Sequence, residues 1–277
     1  MADNTIHPVI AAIVEEEFES FFLIAGPCAV ESRKVCMTVA TECKRIADSL
    51  GIPYIFKSSF IKANRTRKDS FRSIGIDKAL TILKEVSVEI DVPITTDIHE
   101  ISDIDLVRDV VDLIQIPAFL SRQSSLIEAA AETGIPINIK KGQFMNASSM
   151  AHATDKAQAM SEIPVFITER GNSFGYNDLI VDMPKIATMT SSCNHVIMDC
   201  THSTQRPNQE SGVTSGNPMD TELLARAALS VGAKGLFVET HPQPESALSD
   251  GSNMIRLAEL ERLINRLHQF SRAINQL

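Results

Sequence analysis

Short apolar runs recur along the chain, each ending in a polar or charged residue and each followed by a stretch with helical periodicity. The runs cover 22–28, 54–60, 94–99, 113–119, 135–140, 165–170, 195–202 and 236–241. The intervening helical patterns cover 33–50, 77–90, 103–110, 124–132, 148–160, 179–191, 220–231 and 254–274. Parallel strands covered on both faces read as continuous apolar runs, so eight of them separated by helices predict an α/β fold, a (β/α)8 TIM barrel. The reading is of one barrel domain over 1–277, with 1–20 as an N-terminal extension. Residues 5–20 are expected to form a short hairpin closing the amino-terminal mouth of the barrel.

Barrels of this kind carry their chemistry at the carboxyl ends of the strands. Cys28, Lys57, Lys62, Asp97, Gln115, Lys140, Arg170, His202 and Glu239 fall at or just beyond those ends. Two connections, 203–218 and 242–252, are long and rich in Gly, Pro, Ser and Asn, as binding loops and lids tend to be.

The length of 277 residues suits one barrel. A net charge of −9 argues against nucleic acid or an anionic membrane as partner, because both need a basic stripe. Positive charge is instead local. Lys57, Lys62, Arg65, Arg122, Lys140 and Arg170 gather at strand ends, which concentrates a small anion in a cleft. The five cysteines include no CxxC pair, and Cys36 and Cys43 fall inside the first helical stretch, so no disulfide framework is expected. A reducing cytoplasm fits. The N-terminal stretch has no basic segment, and no apolar run approaches the roughly 20 residues of a membrane span.

Cys28, His202, Glu239 and Asp250 form the sharpest chemical constellation. A thiolate, an imidazole and two carboxylates suit a borderline divalent transition metal: Fe, Zn, Mn or Co. Strands one, seven and eight are neighbours where the barrel closes, so residues distant in sequence can converge. The alternative is a buried free cysteine, a hydrogen-bonded histidine and two unrelated acids. A second constellation, Lys57-Ser-Ser-Phe-Ile-Lys62-Ala-Asn-Arg65-Thr, carries three cations, and Lys140-Lys-Gly-Gln143 with Thr-Glu-Arg170-Gly adds three more. Phosphate and carboxylate groups need charge-assisted donors from several directions, which separate strands provide. The competing use of these cations is pairing with Asp97, Glu100 or Glu169.

At these residues the sequence resembles the 3-deoxy-D-manno-octulosonate 8-phosphate (KDO 8-phosphate) synthases, part of a larger group with the 3-deoxy-heptulosonate 7-phosphate synthases. The resemblance runs from Phe22 to Gly251 through AGPCAVESR, FKSSFIKANRT, TDIHE, IQIPAFLSRQ, INIKKGQF, ERGNSFGYNDLIVDM, DCTHSTQ and VETHPQPESALSDG, in that order at successive strand ends. It implies condensation of phosphoenolpyruvate with arabinose 5-phosphate and water, for lipopolysaccharide biosynthesis. It also implies that Lys62, Lys140 and Arg170 hold phosphoenolpyruvate, assisted by Ser59, Gln143 and the backbone at Ala118, with Gln115 nearby. Asn64, Arg65 and Thr66 would receive arabinose 5-phosphate, and Arg122 would reach its phosphate from a neighbouring subunit of a homotetramer. Lys57 and Asp97 would sit centrally, with His202 or Asp250 moving protons. Cysteine at position 28 implies the metal-dependent branch, since asparagine marks the other. Thr66 departs from the usual serine but keeps the hydroxyl.

Three other readings compete. A heptulosonate phosphate synthase carries a KPRT-like sequence where this chain has Lys62-Ala-Asn-Arg65. A Schiff-base aldolase would use Lys140. A non-catalytic sugar phosphate-binding barrel would show eroded catalytic positions, and the matched ones are intact.

Overall fold

A computed structural model of the protein describes residues 6–65, 68–174, 178–193, 195–206, 215–216 and 218–276. Eight strands form the barrel: β1 (Phe22–Gly26), β2 (Tyr54–Lys57), β3 (Ile94–Asp97), β4 (Leu113–Ile116), β5 (Ile137–Lys140), β6 (Val165–Glu169), β7 (Val196–Asp199) and β8 (Gly235–His241). They pair in parallel in chain order, and β8 pairs back onto β1 with Phe22 opposite Gly235 and Gly26 opposite Glu239. The expected closed (β/α)8 barrel is therefore the observed fold. Every strand but β8 is shorter than its apolar run, and most of the candidate polar residues sit on the last strand positions or just past them.

Helices α2 (Arg33–Leu50), α3 (Ile76–Ile90), α4 (Ser102–Val107), α5 (Ser124–Glu132), α6 (Ser148–Gln158), α7 (Met183–Thr190), α8 (Thr221–Ser230) and α9 (Leu257–Ile274) follow the eight strands. The local signals are legible in α2. Its Ser32 side chain accepts from the Val35 amide at 3.2 Å, and the helix stops at Gly51, whose φ of 63° lies in the left-handed region. One face of α2 then buries Cys36, Val39, Ala40, Cys43, Ile46 and Ala47 against the outside of the barrel.

Side chains alternate across a strand, and this rule builds the barrel interior in two layers. Phe22, Ile24, Ile55, Leu113, Phe166, Ile197 and Phe237 point inward and form an apolar floor. Two residues further along the same strands, the inward positions are Lys57, Gln115, Thr168, Asp199 and Glu239, all buried. The floor is tightly filled. Phe22 and Phe166 meet edge to face at 5.9 Å, and a Cβ on Gly235 would run into the Phe22 ring.

Three sequence expectations need correction. The segment expected as a hairpin contains helix α1 (Pro8–Val14), with Pro8 in its first turn and the His7 ring accepting from the Val9 amide. Ile10 and Ile13, three apart, plug the amino-terminal mouth beneath the floor; no Gly or Asn turn is present between 5 and 20 to reverse a strand pair. The helix expected over 179–191 begins only at Met183, because Asp178–Ile180 pairs antiparallel with Asn172–Phe174 and Pro184 favours a helix start at its own position. The last helix begins at Leu257 because Ile255–Arg256 adds a short parallel strand beside Thr240 and His241. Most of the 203–218 connection lies outside the described residues. Among those described, no helix is long and apolar enough to cross a membrane.

Candidate active site

Lys57 stands at the centre of the polar layer. Its ammonium donates to the Cys28 carbonyl at 3.3 Å, the Ser59 hydroxyl at 3.1 Å and Glu239 Oε1 at 3.2 Å, and lies 3.6 Å from Asp97 Oδ2. A Cβ on Gly26 would collide with the Lys57 carbonyl oxygen, so glycine lets the ends of β1 and β2 lie this close. Asp97 also accepts from the Ser59 hydroxyl. Burial alone would raise the Asp97 carboxyl, but Lys57 and Lys62 outweigh it and hold it well below the usual range.

Beside Lys57, donor atoms of Cys28, Glu239 and Asp250 lie within 4.8 Å of one another. Cys28 Sγ is 3.3 Å from Asp250 Oδ2 and 2.9 Å from the Ser249 hydroxyl. His202 joins this group from the turn after β7: its Nε2 lies 3.6 Å from Glu239 Oε1, while its Nδ1 is fixed at 2.8 Å on Asp199 Oδ2. A carboxylate behind one ring nitrogen leaves the other free to act as a ligand. Burial above all, with Glu239 and Asp250, pushes the Cys28 thiol far up, so a thiolate there needs an added positive charge. Glu239 Oε2 is buried with no hydrogen-bond partner among the described residues. Asp250 itself sits at φ 48°, a conformation rare outside Gly, Asn and Asp, which turns the β8 loop back toward Cys28.

The cations surround this cluster. Lys140 bonds Asp199 Oδ2 at 2.6 Å and rests 3.8 Å above the Phe237 ring, so its ammonium caps the floor. Burial lowers the Lys140 ammonium despite Asp199. Arg170 reaches Gln205 Oε1 at 2.7 Å. Burial would lower Lys62 too, but Cys28, Glu239, Asp97 and Asp250 together carry it above its ordinary value. A cavity of about 840 Å³ opens over Lys62, Asn64, Arg65, Arg170, His202 and Asp250. A second, of about 330 Å³, lies against Lys57, Asp97, Ala118, Lys140 and Gln143; Lys62, Asn64, Arg170, His202 and Gln205 line both. Arg65 lies 3.5 Å from Asp250 Oδ1 and bonds the Ser249 hydroxyl.

The remaining expected residues fall elsewhere. Arg122 is exposed and lines neither cavity. Thr66 lies outside the described residues. Gln115 is fully buried below the cavities and belongs to a one-way hydrogen-bond belt across four strands. Thr168 donates to Asn138 Oδ1 at 2.8 Å, Asn138 donates to Gln115 Oε1 at 3.0 Å, and Gln115 donates to Asp97 Oδ1 at 2.5 Å. Gln115 thus acts on the site through Asp97.

One residue missed in the sequence reading is Asp199. It joins Lys140 and His202 through the same oxygen, and its Oδ1 accepts from the Thr201 and His202 amides at 3.1 and 2.8 Å. The signal was present: Asp199 follows the inward Ile197 by two positions. Of the expected ion pairs, Lys57 with Asp97 is observed, and Glu169 is taken by Lys141 at 3.3 Å.

A closed parallel barrel with buried cations and a thiol, imidazole and carboxylate set at the carboxyl ends of its strands defines a barrel enzyme. Comparison with known proteins is more specific. The sequence model of the DAHP synthetase I family matches residues 11–276. The 2-dehydro-3-deoxyphosphooctonate aldolase of Nitrosococcus oceani is 44% identical over 255 residues, 92% of this chain and 91% of the relative. The protein of the same name from Dichelobacter nodosus is 47% identical over 247 residues, 89% of each chain. The chain belongs to the DAHP synthetase I family.

Proposed function

We propose that this protein condenses phosphoenolpyruvate with D-arabinose 5-phosphate and water, giving KDO 8-phosphate and inorganic phosphate. The observation that carries the reading is the buried set of Lys57, Lys62, Lys140 and Arg170, which line two cavities that share residues, beside the cluster of Cys28, Glu239 and Asp250 that His202 joins. The name of the relatives agrees, since a phosphorylated 2-keto-3-deoxy octonate divides into a three-carbon enolpyruvate and a five-carbon aldose.

Two anionic substrates must be held together, and fixed cations reduce both their repulsion and their freedom of motion. Lys62, Lys140 and Arg170 hold phosphoenolpyruvate, with Ser59, Gln143 and the Ala118 backbone. Asn64, Arg65 and Thr66 hold the pentose phosphate. Carbon 3 of the enol forms a bond to the aldehyde carbon, water adds its oxygen at carbon 2, and the bond from carbon 2 to the phosphate oxygen breaks. Lys57 and Asp97, hydrogen-bonded through Ser59, orient the centre; His202 and Asp250 are the groups placed to move protons.

The donor chemistry of Cys28, Glu239 and Asp250, with His202 beside them, and the orphaned Glu239 oxygen support a divalent transition metal held by these four residues, and with it a reading of the chain as one of the metal-dependent branch. Such an ion, when bound, polarises a ligated oxygen and lowers its pKa. The working assembly in this reading is a cytoplasmic homotetramer. The outward Arg122 then completes the pentose phosphate site of an adjacent subunit.

Phosphate release from phosphoenolpyruvate, measured with arabinose 5-phosphate and separately with erythrose 4-phosphate, tests the reading. Release with the five-carbon sugar is expected. Activity with only the four-carbon sugar would transfer the protein to the heptulosonate reaction.

A further inference from the structure

Lys140 and Arg170 each have a sequence neighbour that points the other way. Lys140 turns into the barrel, whereas Lys141 turns toward the loops after β5 and β6 and is 2% exposed. Arg170 turns into the cavity, whereas Glu169 turns toward Lys141 at 3.3 Å, also 2% exposed. The Lys141 ammonium faces four oxygens: Glu169 Oε1, Asn172 Oδ1, the Met145 carbonyl at 3.4 Å and the Gly142 carbonyl at 3.5 Å. Gly142 and Met145 belong to the loop after β5, Glu169 ends β6, and Asn172 lies in the segment that follows it. Three further bonds tie the same segments: Asn172 Nδ2 to the Met145 carbonyl at 3.2 Å, the Ser173 amide to the Gln143 carbonyl at 3.0 Å, and the Gly171 amide to Glu169 Oε1 at 2.6 Å.

A buried ion pair is a poor device for stability, because removing two charges from water offsets most of their attraction and apolar replacements are often as stable. Its particular property is geometric, since a saturated ammonium fixes every acceptor around it. Here Gly142 and Met145 bracket Gln143, Glu169 precedes Arg170, and Lys141 itself follows Lys140.

We propose that Lys141, Glu169 and Asn172 form a positioning clasp that sets the spacing of Lys140, Gln143 and Arg170 and so governs affinity for phosphoenolpyruvate, but not for the pentose phosphate. The clasp rests on the functional reading above for the identity of its substrate. Lys141 and Glu169 touch neither reactant; they act through their neighbours.

Steady-state kinetics on Lys141→Met, Asn172→Ala and the double variant Lys141→Met/Glu169→Leu provide the test, alongside thermal unfolding. Small misplacements at a reacting centre are costly, so KM for phosphoenolpyruvate is expected to rise about tenfold in the Lys141 variants and about threefold in Asn172→Ala. KM for arabinose 5-phosphate should stay within about twofold, the margin separating a local change from a general one. The double variant should recover thermal stability without recovering the phosphoenolpyruvate KM. Asn172→Ala leaves no lone buried charge and keeps the test open if the Lys141 variants fail to fold. The clasp is overturned if the double variant has a normal phosphoenolpyruvate KM, if Asn172→Ala leaves that KM unchanged, or if both KM values rise together. Wild-type protein that releases no phosphate from this substrate pair defeats the functional reading alone. Calorimetric titration of inorganic phosphate into wild type and Asn172→Ala then judges the clasp. Weaker binding by the variant is expected, and equal binding, or none to wild type, overturns it.

Discussion

The floor and the upper layer of the barrel interior follow one another along the barrel strands, yet they are opposites. The floor is Phe, Ile and Leu closed below by Ile10 and Ile13; the layer above it holds Lys57, Asp97, Lys140, Asp199 and Glu239 with almost no exposed surface. In the floor, packing fixes position and no side chain needs a partner. In the upper layer every charge needs one, because an isolated buried charge is far more costly than a buried methyl group is favourable. Stability therefore comes chiefly from one end of the barrel and chemistry from the other, and variants can separate the two.

The largest effect is expected at the donor set of the upper layer. Cys28→Ala, or chelation of the wild type, should abolish phosphate release, since losing one of four ligands weakens affinity and geometry together. Full activity in protein shown by elemental analysis to be metal-free would defeat the metal assignment. Asp199→Asn should come next, with kcat lower by about 100-fold, the upper range for losing the partner of a ligating histidine. Its thermal unfolding temperature should change less than its activity does. A variant with normal kcat would mean that Lys140 and His202 need no shared anchor. The smallest effect on chemistry is expected from the floor: Phe166→Ala should destabilise the fold by about 3 to 5 kcal/mol through cavity formation, with kcat/KM at low temperature near that of the wild type. Loss of activity in a folded Phe166→Ala protein would show that the two layers are not separable.

The sequence was most legible where a local rule governs. Apolar runs located all eight strands, and strand ends located Lys57, Lys140, Glu239 and the cavity-lining Lys62, Arg170 and His202. Asp199 is reached only by same-face counting from Ile197, since it lies inside its apolar run and not at the polar end of that run, where His202 stands. The helix expected from Leu179 starts late because the strand pairing of Asp178–Ile180 with Asn172–Phe174 joins two separate segments, and the helical pattern from 179 carries no mark of that pairing. Lys141 counts by sequence among the anion-binding cations and Glu169 among the carboxylates that could pair with them; only the fold of the two loops shows that they are buried against each other. The helix Pro8–Val14 failed for the opposite reason, since its cap and its proline were readable and its apolar residues were attributed to strands.

The belt from Thr168 through Asn138 and Gln115 to Asp97 has a consequence for descent. Each member donates to the next, so reversing one amide or shortening one side chain strands a polar atom in the barrel interior, at roughly 1 to 3 kcal/mol. A lineage that changes one of these four positions passes through a weakened intermediate unless a second changes with it. Their identities should accordingly travel through evolution as a block, exchanged together or kept together, while the outward-facing residues beside them on the same four strands vary independently.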